Sequence, residues 1–456
     1  MLYRFALLPA ALFAAGAAES ASAQGPLSAA LSTGENVKVS GSVRVRWEGL
    51  TGQVRPGLNA EDGIVAVRTT LFGEYDTGTV RFGAELYDSR VYGAGARSMV
   101  GANDVNVAEF VQAYVAADFE TPLGKGSAAS VQAGRFTVNL GSRRLVAADD
   151  YRNTTNGFTG IRADFKTGGG TAGTLLFVLP QVRLPDDLPS ILDHQFEFDR
   201  ESFDLRLWGG IASRQNLFPG VTAEASYLRL EERDSPGRPT RDRRLHTVGA
   251  RLIRDPAPGK MDFEVEAIRQ FGSISSGIGA TAGDLAVRAA FYHADAGYTF
   301  AGKWNPRLSL EYDRATGDGP GRRYGRFDTL YGMRRADLGP AGLYAALGRA
   351  NISTPGLRVE AAPGSRTDLF ASYRLLWAEE ATDIFSTTGV RDPAGASGRY
   401  AGQQIEGRVR HWIVPKLLRA EVNAVWLGKG RFLRQAPNAP DTGDTFYASV
   451  AATASF

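Results

Sequence analysis

The chain has 456 residues, with 52 Lys and Arg against 49 Asp and Glu, a formal net charge of +3, four His and no Cys. Without cysteine there can be no disulfide staple, thiolate nucleophile or thiolate metal site. The near-balanced charge gives no reason to expect a nucleic-acid partner.

Met1 to Ala23 carries an early Arg4, an apolar run from Phe5 to Ala18 and the small residues Ala21-Ser22-Ala23 before Gln24. This is the pattern of a secretory signal peptide and is excluded from the fold, leaving 24–456 as one expected domain. No later stretch stays apolar for the roughly 18 residues a membrane helix needs. The longest candidate, Gly168 to Val182, opens with glycines and contains Pro180.

The first mature segment alternates. Val37, Val39, Val43, Val45 and Trp47 share one parity; Lys38, Ser40, Ser42, Arg44, Arg46 and Glu48 share the other. That is a strand with one apolar and one charged face, and its pattern alone fits a soluble sandwich as well as a barrel. The number of such segments decides. Similar alternation recurs at 65–75, 80–87, 107–119, 129–136, 158–165, 174–182, 203–211 and 221–228. It continues at 245–253, 263–271, 285–300, 307–313, 343–350, 357–361, 369–378, 405–413, 417–427 and 446–456.

Nearly twenty strands without a convincing amphipathic helix predict an all-β fold: one closed transmembrane antiparallel up-and-down β-barrel of about 18 strands. A mean hydropathy of −0.20 is compatible with this, because alternating faces average out. The closing segment Tyr447 to Phe456 supports it too, since its alternating stripe ends on an aromatic. Asp76-Thr77-Gly78 and Pro256 to Gly259 read as periplasmic turns. Asp149 to Asn156, Pro185 to Glu201, Gly317 to Arg326 and Glu379 to Gly402 read as external loops or plugs folded into the mouth.

Seven of the cations are Lys, leaving 52 − 7 = 45 Arg. Arginine pairs carboxylates and phosphates through a planar fork that stays charged, so an Arg-rich lumen favours an anionic solute. The inward parity supplies Arg44, Arg46, Glu48, Arg81, Glu85, Arg307, Glu311, Asp313, Glu406, Arg408 and Arg410. Asp262, Glu264 and Glu266 alternate along one strand with no partner across a cleft, so they read as lumenal charge balance and not as a glycosidase pair.

The four His residues lack metal-ligand spacing, and Asp313 to Gly319 lacks the ligand set of an EF-hand loop, so no metal and no cofactor are assigned. No nucleophile elbow or other catalytic constellation is present, so the chain is not read as an enzyme. Aromatics such as Trp47, Tyr75, Tyr92, Phe110, Phe119, Trp377 and Trp426 fall near strand ends, as interfacial girdles do.

Several stretches resemble the outer-membrane alginate-export barrels. They are Ala133-Gly134-Arg135-Phe136, Gly141-Ser142-Arg143-Arg144-Leu145-Val146 and Asp150-Tyr151-Arg152-Asn153-Thr154-Thr155-Asn156-Gly157-Phe158. Pro306-Arg307-Leu308, Glu311-Tyr312-Asp313, Thr316-Gly317-Asp318, Phe327-Asp328 and Gly348-Arg349-Ala350-Asn351-Ile352 follow in order. The resemblance implies a monomeric 18-stranded barrel with a cationic constriction and gating loops, through which a uronate polymer leaves the cell. It singles out Arg44, Arg46, Arg135, Arg144, Arg152, Arg408 and Arg410, with Glu48 and Asp150 as counter-charges. Arg135 shares the parity of Val131 and Ala133, so a regular strand points it outward.

The expectation is a passive channel for an anionic, alginate-like polysaccharide, with uptake of small carboxylates, phosphate or oligosaccharides as the alternative. Its expected partners are that polysaccharide, outer-membrane lipid and periplasmic secretion components.

Overall fold

The computed structural model describes residues 36–456 except 236–237, 279–281 and 335–336. The signal-peptide segment lies outside the described residues. Eighteen strands form one ring. They are β1 (Val37–Thr51), β2 (Glu61–Asp76), β3 (Val80–Tyr92), β4 (Asn106–Glu120), β5 (Ala128–Phe136), β6 (Phe158–Lys166), β7 (Thr171–Pro180), β8 (Leu205–Phe218) and β9 (Val221–Glu232). Then come β10 (Arg244–Arg254), β11 (Lys260–Ser275), β12 (Asp284–Thr299), β13 (Arg307–Ala315), β14 (Ile352–Ala361), β15 (Thr367–Trp377), β16 (Tyr400–Val414), β17 (Leu418–Lys429) and β18 (Thr445–Ser455). Each neighbouring pair is antiparallel, and a two-residue piece, Arg323–Tyr324, adds a short parallel contact to β12. Two five-residue helices, α1 (Leu188–Leu192) and α2 (Arg431–Gln435), sit in loops.

The ring closes through β1 and β18, from Ser42↔Ser455 to Thr51↔Phe446. The terminal Phe456 exchanges both backbone hydrogen bonds with Gly41 at 2.9 Å. Gly41 has to be glycine there: a Cβ would sit 2.5 Å from the Thr70 carbonyl oxygen and 2.6 Å from the Phe456 ring.

Burial is inverted relative to a soluble sandwich. On β1, Val43, Val45 and Trp47 are 40%, 46% and 48% exposed, whereas Arg44, Arg46 and Glu48 are 7%, 1% and 0% exposed. Apolar side chains facing out and charged ones facing in are stable only where the outside is hydrocarbon, and a closed ring leaves no unpaired strand edge there. Outward aromatics cluster toward strand ends, as in the row Phe446↔Trp426 near one rim and Tyr75, Phe119 and Phe300 toward the other.

Connections alternate in length. Even-numbered strands are followed by short turns such as 77–79, 167–170 and 219–220; odd-numbered strands are followed by loops such as 137–157, 181–204, 316–351 and 378–399. The start of β1 and the end of β18 lie on the short-turn side, which is the periplasmic side of such barrels.

The predicted strand at 343–350 is corrected. Leu343, Tyr344, Ala346 and Leu347 are all at most 2% exposed, so both parities are buried. The segment belongs to the β13–β14 loop (316–351), which folds into the barrel and packs with Leu338, Phe385 and Phe432. Its apolar alternation comes from burial on every side.

Candidate functional site

The lumen is crossed by the β5–β6 loop (137–157), and the two ends of that crossing are held differently. Near its start, Arg144 is clamped to the far wall. Its Nε donates to Asp337 at 2.9 Å, and its Nη1 donates to Glu266 at 2.7 Å and also to Glu264. Asp337 comes from the β13–β14 loop and also pairs with Arg349 of that loop. Burial opposes the charge on Arg144, but Asp337, Glu264 and Glu266 overcome it and hold its pKa well above the ordinary value. Burial likewise opposes the charge on Asp337, and Arg144 and Arg349 hold its pKa well below the usual carboxylate range. The network extends along the wall through Arg251 with Glu224 at 2.9 Å, Arg374 with Glu311 at 2.7 Å and His293 with Asp313 at 2.7 Å.

Near the end of the loop the polarity is reversed, and wall arginines grip loop carbonyls. Arg44 donates to the carbonyl oxygens of Asp150 (2.9 Å) and Arg152 (2.7 Å). Arg68 on β2, directly across in register from Arg44, donates to the same two at 3.1 and 3.3 Å. Arg46 donates to the Tyr151 carbonyl, stacks over the Tyr151 ring at 4.5 Å and pairs with Glu48 at 2.7 Å. Asn153 caps the wall by donating to Val67, Arg90 and Asp104 carbonyls.

Glu48 has a second role. It accepts from the Leu343 backbone N–H at 3.0 Å and from the Tyr447 hydroxyl at 3.1 Å, which fastens the β13–β14 loop to β1. The loop passes so close that a Cβ on Gly342 would lie 2.3 Å from the Glu48 carboxylate, and φ there is +75°.

The other predicted residues divide clearly. Arg307 gathers Asp262, Asp295 and Glu360 on the β11–β14 wall. Arg408 and Arg410 share Asp368, at 3.2 and 2.9 Å, and the Asp368 side chain is 43% exposed. Arg152 turns its guanidinium toward Asp149, Asn103 and Asn156. Asp150 meets Arg143 at 2.6 Å and offers the wall its backbone carbonyl.

Arg135 stays in unbroken register opposite Ala113 and Thr159 and keeps the parity of Val131, which is 40% exposed. It is held at the rim between Glu109 and Glu201. Arg68 was not singled out from sequence, although its position opposite the parity of Val65 and Val67 marks it as inward.

The wall facing these loops is fully covered at Gln404 and, lower down, along the register row of Glu48, Ser449 and Asn423, each 0% exposed. One strand row toward the short turns it opens: Arg410 and Glu421, cross-strand partners there, are both partly exposed. Folded-in loops thus cover the lumenal wall over its loop-side rows and leave it partly uncovered toward the short turns.

A family profile described as Alginate export matches residues 37–444. The chain belongs to the alginate export family. Its place is therefore the bacterial outer membrane. No curated protein matches the chain. Among solved structures the alginate export chain is similar in fold to Pseudomonas aeruginosa OccK8 (OprE), with TM-score 0.59 and 13% identity over 92% of this chain and 98% of that one. It is also similar to P. aeruginosa OccK2 (OpdF), with TM-score 0.58 and 12% identity over 92% and 98%. OccK2 solved in complex with glucuronate gives TM-score 0.55 at 12% identity over 92% and 96%. These solved structures share the barrel architecture, and the alginate export family is one of channels.

Proposed function

We propose that this outer-membrane channel passes an anionic, uronate-containing polysaccharide by passive diffusion along its arginine-bearing wall. One observation carries the reading. Arg44 and Arg68 are buried, face each other across β1 and β2, and direct their donors to neutral loop carbonyls, with no ion pair to a carboxylate among the described residues. Each also has a buried Nε–H without an acceptor. Two adjacent guanidiniums, neither hydrogen-bonded to a carboxylate among the described residues, give the constriction a positive bias, and rings of such charge select anions. A few carboxylates nearby, such as Asp368 and Glu421, keep binding weak enough for release.

Purified channel in planar bilayers should be anion-selective and blocked by oligouronates, with block relieved by Arg408→Glu and Arg410→Glu. Cation selectivity with no response to uronates would discard the proposal. A second reading, uptake of small carboxylates, is favoured by the full coverage of Gln404, Asn423 and Ser449, which takes up lumenal space that a polymer would need. The glucuronate complex of the similarly folded OccK2 points the same way. Equal block by monomeric and polymeric uronate at matched carboxylate concentration would favour it.

A further inference from the structure

The lipid-facing surface is not uniform around the ring. On β1 and β15–β18 its upper rows are apolar and aromatic, as in Thr51↔Phe446↔Trp426↔Ile405↔Tyr373. On β8–β12 the corresponding rows are cationic. Antiparallel partners share a face, so three registers define this surface from the loop side downward. They run Arg206↔Glu231↔Arg244, then Trp208↔Arg229↔His246↔Phe271↔Arg288, then Gly210↔Tyr227↔Val248↔Arg269.

Trp208, Val248 and Phe271 are exposed on this face, which fixes it as the outer one. The face carries five arginines and a single carboxylate, Glu231, which Arg206 (2.7 Å) and Arg229 (3.2 Å) already share. Arg244, Arg269 and Arg288 are exposed, and Arg269 lies over the Tyr292 ring at 5.2 Å.

Beneath the arginines the next row is small: Ala212↔Ala225↔Ala250↔Ala267. At the β8–β9 end of this row, Ala212 and Ala225, with Gly210 above them, floor a groove of about 680 Å³ bordered by Leu175, Phe177, Trp208 and Tyr227. Trp208 and Tyr227 meet edge-on at 5.7 Å, and the Tyr227 hydroxyl is 2.9 Å from His246 Nδ1, so the border between groove and cations is fixed.

We propose that this face is a binding site for a phosphorylated, multiply acylated lipid of the outer leaflet. Arg244, Arg269 and Arg288 would take its phosphates, and the small-residue groove would take one of its acyl chains. Unpaired arginines are costly on the lipid side of a barrel except close to the interface, and a phosphate is the anion available at that depth. The planar guanidinium fork is matched to it. The apolar groove runs continuously into the hydrocarbon-facing wall, so one amphiphile satisfies both halves.

The test is native mass spectrometry of the full chain in neutral detergent, titrated with bisphosphorylated lipid A, with its dephosphorylated form and with inorganic phosphate. One lipid A should be retained, with the dephosphorylated form at least tenfold weaker and inorganic phosphate failing to displace it. Arg244→Glu with Arg288→Glu should weaken retention at least tenfold, and Ala225→Trp, which fills the groove without touching a charge, several-fold. Heat-modifiable migration and pore conductance should be unchanged in both.

Undiminished retention by both variants overturns the proposal, and so does displacement by inorganic phosphate at equal concentration, which would mark a free-anion site. The chain has no native cysteine. Disulfide-linked pairs formed by Ala250→Cys in membranes would show the face covered by a second copy and would overturn it as well.

Discussion

The two anchorages of the β5–β6 loop use the same chemical group in opposite directions. At one wall the loop supplies the guanidinium, Arg144, and the acidic side comes from β11 and the β13–β14 loop. At the other wall β1 and β2 supply the guanidiniums, and the loop answers with neutral groups: backbone carbonyls, the Asn153 side-chain oxygen and the Tyr151 ring. The first arrangement neutralises charge and holds architecture; the second holds the loop without an ion pair to a carboxylate among the described residues, and on the function proposed above it leaves positive charge in the constriction. An inward arginine is therefore not in itself a pore charge, and what it points at decides its role.

The largest expected effect breaks the first anchorage. Arg144→Ala leaves Asp337, Glu264 and Glu266 together in a buried site without their shared cation, and removing one partner of such a group costs about 3–5 kcal/mol. Urea unfolding in detergent should show that loss, and limited proteolysis should open the β5–β6 and β13–β14 loops while the strands persist.

The same anchorage should resist acid. The Asp337 pKa lies well below its ordinary value despite burial, because Arg144 and Arg349 stabilise the carboxylate. Its stabilising contribution is thus complete above the unfolded carboxylate range and disappears only as pH falls through the depressed folded value. Protease protection of the loops should hold through mild acid and fail only well below pH 4. Failure near pH 5 would mean that the pair is not holding the loop.

The second anchorage is tested by Arg44→Glu with Arg68→Glu. Replacing these two cations by anions should abolish anion selectivity and weaken oligouronate block by roughly tenfold or more, the loss of about 1.5–3 kcal/mol expected per charged hydrogen-bonding group. Bilayer reversal potentials and block titrations measure both. If selectivity survives, the net charge of the constriction lies elsewhere, with Arg408 and Arg410 next in line.

The ring of strands was legible in the sequence because a period of two imprints itself wherever one face meets lipid and the other water. β1 and β18 show this from Val37 to Trp47 and from Tyr447 to Phe456. The same logic misled at 343–350, where alternation arises from a loop buried on all sides. Parity placed Arg44, Arg46, Arg307, Arg408 and Arg410 inside, and it also indicated that Arg135 would stay off the lumen. Parity could not tell which guanidinium meets a carboxylate and which a carbonyl. The partners Asp337 and Asp150 lie in loops without periodicity, separated from Glu264 and Arg44 by more than a hundred positions for Asp150 and by a whole hairpin for Asp337.

The smallest expected effect sharpens the comparison at a single hydroxyl. Tyr151 offers its carbonyl and its ring face to Arg46, while its hydroxyl reaches Tyr447 at 2.9 Å and Ser449 at 3.2 Å. Tyr151→Phe keeps the carbonyl and the ring and removes only the hydroxyl contacts, at a cost of about 0.5–1.5 kcal/mol. Selectivity should be unchanged, because no guanidinium loses a partner, while open-channel noise should rise as the loop tip loses its fastening to β18. Tyr151→Ala removes the ring under Arg46 as well. If the two variants gave equal noise, the hydroxyl would be the fastening that matters; a larger effect for Tyr151→Ala would assign part of the hold to the guanidinium stacked on the ring.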